Sequence, residues 1–199
     1  MEECIAYARK WMFEVLKYLR KHHETLWDWG NEEDNWMNKL DVIAKYGKVS
    51  SGSFRITFIP NDADFVIKVG YNAEGEEMCE REAYNWEAAV EKGMEKFFAP
   101  MYGSFQISGF KFYLFAKIPE IATIVDNPKS HPSYRSEEEL EKIAEGCEPW
   151  YNPIYCYYEN LEDIVKMATF CGAHGIDDLH RWNFGFVDGF PVAIDYAGV

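Results

Sequence analysis

The sequence contains no run of about 18 apolar residues, so nothing in it is long enough to span a bilayer as a helix. It shows no early apolar stretch of the kind a signal peptide needs, because the start, MEECIAYARKW, is charged and amphipathic. Basic residues are scarce. Lys plus Arg number 20 against 34 Asp plus Glu, a net charge of −14. That balance argues against a nucleic-acid surface and fits a protein partner with a basic face, or a chain that itself imitates a polyanion. The five cysteines, Cys4, Cys79, Cys147, Cys156 and Cys171, include no C-x-x-C pair, which removes the usual zinc and redox motifs. An odd, scattered set suits reduced thiols in a cytoplasmic setting. There is no internal repeat and no low-complexity tract. What is present is apolar material: 48% of the 199 residues are hydrophobic and 17% aromatic, enough for one large domain or two small lobes.

The most informative stretch is GIDDLHRWNFGFVDGFPVAIDYAG, residues 175–198. NFGFV and FPVAI are strand-like, and Asp188-Gly189 between them is the signal for a two-residue type I′ turn. That turn sets Val187 opposite Phe190 and Asn183 opposite Ile194. Asn183 and Asp195 then share the open end of the hairpin, with Asp178 on the loop that feeds it. Two carboxylates and an amide oxygen gathered there suit a hard cation such as magnesium. An ordinary hairpin with polar ends would read the same way.

From the start of the chain, Ile5, Ala8, Trp11, Met12, Val15, Leu16 and Leu19 recur at helical steps, predicting an amphipathic helix from Glu2 to about Leu26. A second helix is expected from about Glu33 to Tyr46. His22-His23 carries no metal expectation, since adjacent helical side chains point about 100° apart. From residue 47 the period changes. GKVSSGSFRITFIP alternates and FVIKVG follows, giving three strands. Lys68 sits within the apolar run Phe65-Val66-Ile67-Lys68-Val69. On the buried side it would need an anion, whereas on the solvent side of an edge strand it would need none, and alternation does not separate the two.

A helix is expected from Glu74 to about Lys96, with Met78, Ala83, Tyr84, Trp86, Ala89 and Val90 as its apolar positions. MYGSFQI and FKFYLFAKI form a hairpin around Ser108-Gly109. A loop at 126–134 and a short helix at about 136–146, with Ser136 and Glu139 as a capping box, come next. The aromatic, Pro-broken stretch CEPWYNPIYCYYEN either covers a small core or forms a partner surface. A last helix is expected from about Asn160 to Cys171, stopped by Gly172.

Several of these phrases resemble the kinase-like phosphotransferases. Asp178-Leu-His-Arg-Trp-Asn183 followed by Asp195 is similar to their catalytic loop and metal-binding Asp, and Val49-Ser-Ser-Gly-Ser-Phe54 to their phosphate-covering loop. Gly52-Ser-Phe, Val66-Ile-Lys-Val-Gly70 and Asp178-Leu-His-x-x-Asn183 resemble the early serine/threonine protein kinases of T7-like bacteriophages. The resemblance implies an α+β, minimal bilobal protein-kinase-like fold. Residues 1–46 would form a helical N-terminal extension, 47–118 a kinase-like N-lobe, and 119–199 a truncated C-lobe with the catalytic loop and metal-binding hairpin.

The resemblance also implies roles. Asp178 would take the proton of the attacking hydroxyl, and Asn183 and Asp195 would hold Mg²⁺ on ATP. Lys68 would pair with the α and β phosphates and be held by a glutamate of the next helix. Glu82 is that glutamate by position, with Glu87 one turn further as the alternative, while Glu80 lies about 200° away around the helix. Ser50, Gly52, Ser53 and Phe54 would cover the phosphates, Ala116 would stand at the gate, and the linker ending at Ile118 would meet adenine. The implied function is an ATP-dependent kinase acting in the host cytoplasm on Ser or Thr of host proteins, or on itself.

The departures are specific. Ser50 and Arg55 replace two of the three glycines, Ile176-Asp177 replace His-Arg, and Tyr196-Ala197 replace Phe-Gly. Together with the acidic charge they favour an alternative, a kinase-shaped pseudokinase that binds and inhibits a host protein. Of the two flanking histidines, His174 and His180, the second resembles a polar lining residue of aminoglycoside-type phosphotransferases.

Overall fold

The computed structural model describes residues 1–22, 26, 47–119, 158, 160–179 and 183–198. The expected helices at 33–46 and 136–146, the loop at 126–134, His180 and most of the aromatic stretch at 147–160 lie outside them. The described residues make an α+β fold of three α-helices and antiparallel sheets. No helix among them is long and apolar enough to cross a membrane. The chain divides into two compact units: Met1–Ala83 with Pro100–Lys117, and Tyr84–Ala99 with Ile118–Val199. The N-terminal helix therefore shares a unit with the sheet, and a boundary falls inside the second helix.

In the first unit, α1 (Glu2–Lys21) precedes a five-stranded sheet of β1 (Gly47–Ser51), β2 (Arg55–Pro60), β3 (Phe65–Gly70), β4 (Met101–Ile107) and β5 (Phe110–Ala116), in the order β1-β2-β3-β5-β4. Every pairing is antiparallel. Strand side chains alternate between faces, and one face is apolar. Ile56, Phe58, Ile67, Val69, Phe112 and Leu114 join Ala8, Trp11, Met12, Val15 and Leu19 of α1 in one core. Trp11 meets Phe58 edge-on at 5.8 Å between ring centroids. The stripe read from the sequence is thus the face that α1 buries. Leu26, near the expected end of that helix, is buried in the same core.

The helix after β3, α2, runs over Ala73–Glu91, shorter than the expected end near Lys96. Gly93 stops it. At φ +66° this residue takes the left-handed conformation, its amide reaches Val90 at 3.2 Å, and that of Met94 reaches Ala89 at 2.7 Å, a glycine C-terminal cap. Only a short 3₁₀ turn, Glu95–Phe97, follows. The buried stripe of α2 also departs from the apolar pattern. Cys79, Glu82, Asn85, Ala88 and Ala89 are buried, while Tyr84 is 63% and Val90 49% exposed. Two polar residues occupy the inward stripe, and two apolar ones expected there do not.

In the second unit, α3 (Leu161–His174) starts on Asn160, whose side chain accepts from the Asp163 amide at 2.8 Å. It passes through Gly172, the expected stop, and ends at Gly175, φ +63°, with the Ile176 amide bonded to the Cys171 carbonyl at 2.9 Å. A glycine ends a helix only where the chain needs φ > 0, and that position is 175. The strands β6 (Phe184–Val187) and β7 (Phe190–Ala193) pair with Val187 opposite Phe190 across Asp188 (φ 50°) and Gly189 (φ 84°), the turn expected from Asp-Gly. Tyr158 is fully buried. It packs on Phe97 and Phe190 and donates to the Pro191 carbonyl, which gives this residue of the aromatic stretch a core role.

Candidate functional site

The second face of the main sheet carries the charged residues. Lys68 pairs in register with Thr57 of β2 and Tyr113 of β5, and it is 5% exposed. Its ammonium lies 4.9 Å from the centroid of the Phe115 ring and donates to Glu82 Oε1 at 2.6 Å. Glu82 is wholly buried. A carboxylate buried to this degree is stable only when cations and hydrogen bonds satisfy it, and a second cation is present: Arg55 donates from its guanidinium to Glu82 Oε2 at 2.9 Å. Arg55 precedes Thr57 by two residues, so strand alternation places it on the same face as Lys68. Glu80 faces elsewhere and pairs with Lys111 at 3.3 Å. Glu87 is exposed.

The residues between β1 and β2 directly precede Arg55. Ser50 is exposed and pairs with Thr57. Gly52 and Ser53 are exposed and Phe54 is half-buried. At the far end of β5, Ala116 is buried and its amide donates to the Pro100 carbonyl at 2.7 Å. That N–H is therefore committed within the first unit. Ile118 is half-buried. The Pro119 carbonyl beside it accepts from the Phe186 amide at 3.2 Å, a bond within the second unit.

The second unit holds the oxygen donors. The Asn183 carbonyl accepts from the Ile194 amide at 2.8 Å and the Asp195 amide at 3.4 Å, so Asn183 and Asp195 sit together at the hairpin's open end. The Asn183 Nδ2 donates to the Asp178 backbone carbonyl at 2.6 Å, which ties the preceding loop to the hairpin and turns the amide oxygen of Asn183 away from that bond. Among the described residues no group of three or more His, Cys, Asp or Glu forms a metal cluster. One amide oxygen and one carboxylate are instead a donor set that suits Mg²⁺, which keeps several waters and takes phosphate oxygens as further ligands.

Sequence reasoning overlooked residues that hold these groups. Asn85, one turn after Glu82, is 1% exposed and donates to the Tyr196 carbonyl at 2.8 Å. The Tyr196 hydroxyl donates to the Ala99 carbonyl at 2.8 Å, and the Ala99 amide donates to the Ala193 carbonyl at 2.8 Å. These bonds fix the segment that carries Asp195. The only advance signal was a polar residue at the position where a buried stripe should continue. His174 accepts from Lys92 Nζ at 2.8 Å through Nε2 and stacks on Phe170 at 4.3 Å. Burial, and then the Lys92 charge, lower its pKa, so it is a neutral residue held at the end of α3. Burial pushes the Cys171 thiol up to about 12, which leaves it protonated and unreactive.

No protein-family model matches the chain, and no curated protein matches it. Among solved structures, a co-crystal structure of WbdD with the kinase inhibitor LY294002 is similar at 16% identity and a TM-score of 0.39, over 76% of this chain and 32% of that one. A structure of the bifunctional kinase-methyltransferase WbdD is similar at 17% identity and a TM-score of 0.37, over 73% and 30%. The chain spans about a third of the length of these structures. A likeness of this size carries no argument.

Proposed function

We propose that the chain is a kinase-like phosphotransferase that uses MgATP. The observation that carries the reading is the buried Lys68–Glu82 pair. A lysine on the second face of the sheet, held at 2.6 Å by a wholly buried glutamate, is expensive to desolvate. Its use is to present a fixed positive charge to an anion. In this reading Lys68 binds the α and β phosphates and Glu82 orients it. Ser50, Gly52, Ser53 and Phe54 cover the phosphates, and Ala116 and Ile118 line the adenine. Asp178 accepts the proton of the attacking hydroxyl. Asn183 and Asp195 would hold Mg²⁺, which when bound offsets charge on the phosphates.

The acceptor we propose is a Ser or Thr of a protein, or of the chain itself, as the phrases shared with the T7-like phage kinases suggest. The net charge of −14 favours a target with a basic face, met in the cytoplasm of an infected host. The same charge, with Ser50 and Arg55 in place of glycines, favours a second reading, a pseudokinase that binds and inhibits its target.

Incubation of the pure protein with magnesium and γ-labelled ATP, with and without host extract, tests this. Label on the protein or on extract bands, lost in Asp178→Ala and Asp195→Ala, is the expected result. No label together with no thermal shift by MgATP would sink the phosphotransfer reading. A thermal shift without label would select the pseudokinase.

A further inference from the structure

The turn between β1 and β2 is held from one side by a single residue. Tyr71 follows directly on β3 and is 7% exposed. Its hydroxyl donates to the Ser53 carbonyl and lies 3.4 Å from the Gly52 carbonyl, while its amide donates to the Phe54 carbonyl at 3.3 Å. Three consecutive carbonyls therefore face Tyr71. In a planar trans peptide the next residue's N–H points opposite to the carbonyl, and no described peptide bond is cis. The bonds to Tyr71 therefore engage the carbonyl side of these three peptides and not the amides of Ser53, Phe54 and Arg55.

The surroundings of the turn are built for this placement. A Cβ on Gly75 would come within 1.9 Å of the Phe54 carbonyl oxygen, so only glycine lets that carbonyl seat there. Asn72, next to Tyr71, accepts from the Gly75 amide at 2.8 Å through Oδ1 and so starts α2 at this point. The far end of the turn is fixed by the Gly52 amide on the Arg55 carbonyl at 2.9 Å and by the Arg55–Glu82 pair. Gly52 itself has room around it, since a Cβ there would meet nothing within 4 Å.

We propose that Tyr71 is a positioning residue that presets the Gly52–Phe54 turn as a cradle for the polyphosphate of the nucleotide. The proposal rests on the nucleotide reading above. It accounts for a phosphate-covering turn with one glycine where three are expected. A turn fixed by a tyrosine is preorganised and loses little freedom on binding, so it has less use for glycines that let a loop flex.

The test titrates MgATP and inorganic tripolyphosphate separately into the full chain and into Tyr71→Phe, which keeps the ring and removes the hydroxyl. Tyr158→Phe, which loses a buried hydroxyl bond to the Pro191 carbonyl in the other unit, serves as the control. The expected result is that Tyr71→Phe weakens both probes about tenfold, the worth of one lost hydrogen bond, and raises KM for ATP more than it lowers kcat, while Tyr158→Phe leaves both affinities unchanged. Unchanged affinities in Tyr71→Phe, or equal weakening in Tyr158→Phe, overturn the proposal. If the full chain binds MgATP but not tripolyphosphate, the proposal falls and the nucleotide reading stands. If it binds neither, both fall.

Discussion

The two units hold their chemistry-bearing residues in opposite ways. In the first, a long side chain is fixed by other side chains: Lys68 on Glu82, and Glu82 on Arg55, with the carboxylate wholly buried. In the second, short side chains are fixed through the main chain: the Ile194 and Asp195 amides on the Asn183 carbonyl, and the Asn183 amide on the Asp178 carbonyl. A lysine ammonium on a flexible four-carbon stem has no set position until something binds it. An Asp or Asn has two side-chain torsions against the four of lysine, so a hairpin that places the backbone leaves its oxygens a narrow range. The first arrangement is therefore open to disruption by a single side-chain change, whereas the second depends on the integrity of its hairpin.

That contrast can be broken most severely at Glu82. Glu82→Ala removes the anion from two buried cations, and loss of one member of a buried pair is worth about 3–5 kcal/mol. Urea unfolding should show a loss of that order, with Glu82→Gln, which keeps the shape, losing less. A loss below about 1 kcal/mol would mean that the pair is solvated and not structural.

The second unit offers a smaller effect at Asn85. Asn85→Ala deprives the Tyr196 carbonyl of its buried donor and should lower stability by about 1–3 kcal/mol. The segment carrying Asp195 would loosen with it, and the magnesium concentration needed for the proposed phosphotransfer should rise. Stability lost without any change in magnesium dependence would show that the clamp is structural alone.

The smallest effect belongs to His174. Its folded pKa is lowered from an ordinary value near 6.5, so the unfolded chain binds the proton more readily. The contribution of neutral His174 is present above the unfolded value and is lost as pH falls from there toward the folded pKa. Thermal melts from pH 7 to pH 5 should show a slight downward trend that His174→Gln flattens.

What the sequence revealed followed physical distance along the chain. The hairpin β6–β7 was legible to the residue because Asp-Gly dictates its turn, and the register then follows by counting. The face of α1 was legible because apolar periodicity reports burial directly. Lys68 could be placed on its strand but not on a face, since alternation looks the same for an inward and an outward lysine. The supports were hidden for a different reason. Arg55, Tyr71 and Asn85 are polar residues whose partners include a distant carboxylate or distant backbone carbonyls. In a sequence, a buried polar group with a remote partner looks like a solvated one. The same ambiguity displaced Tyr84 and Val90 into the expected core of α2, where Glu82 and Asn85 stand instead. Two helix ends differ from the sequence expectation: Gly93 takes φ > 0 and ends α2 before Lys96, and Gly175 rather than Gly172 takes φ > 0 at the end of α3, a choice that only the fold makes.

The central proposal is that the chain binds MgATP, with Lys68 on the phosphates and Asp195 on the metal. Calorimetric titration of MgATP into the full chain, Lys68→Met and Asp195→Asn tests it most directly. Binding by the full chain, weakened roughly tenfold or more in each variant, as the loss of a charge-assisted contact requires, is the predicted result. Absence of binding to the full chain, or undiminished binding in both variants, would contradict it.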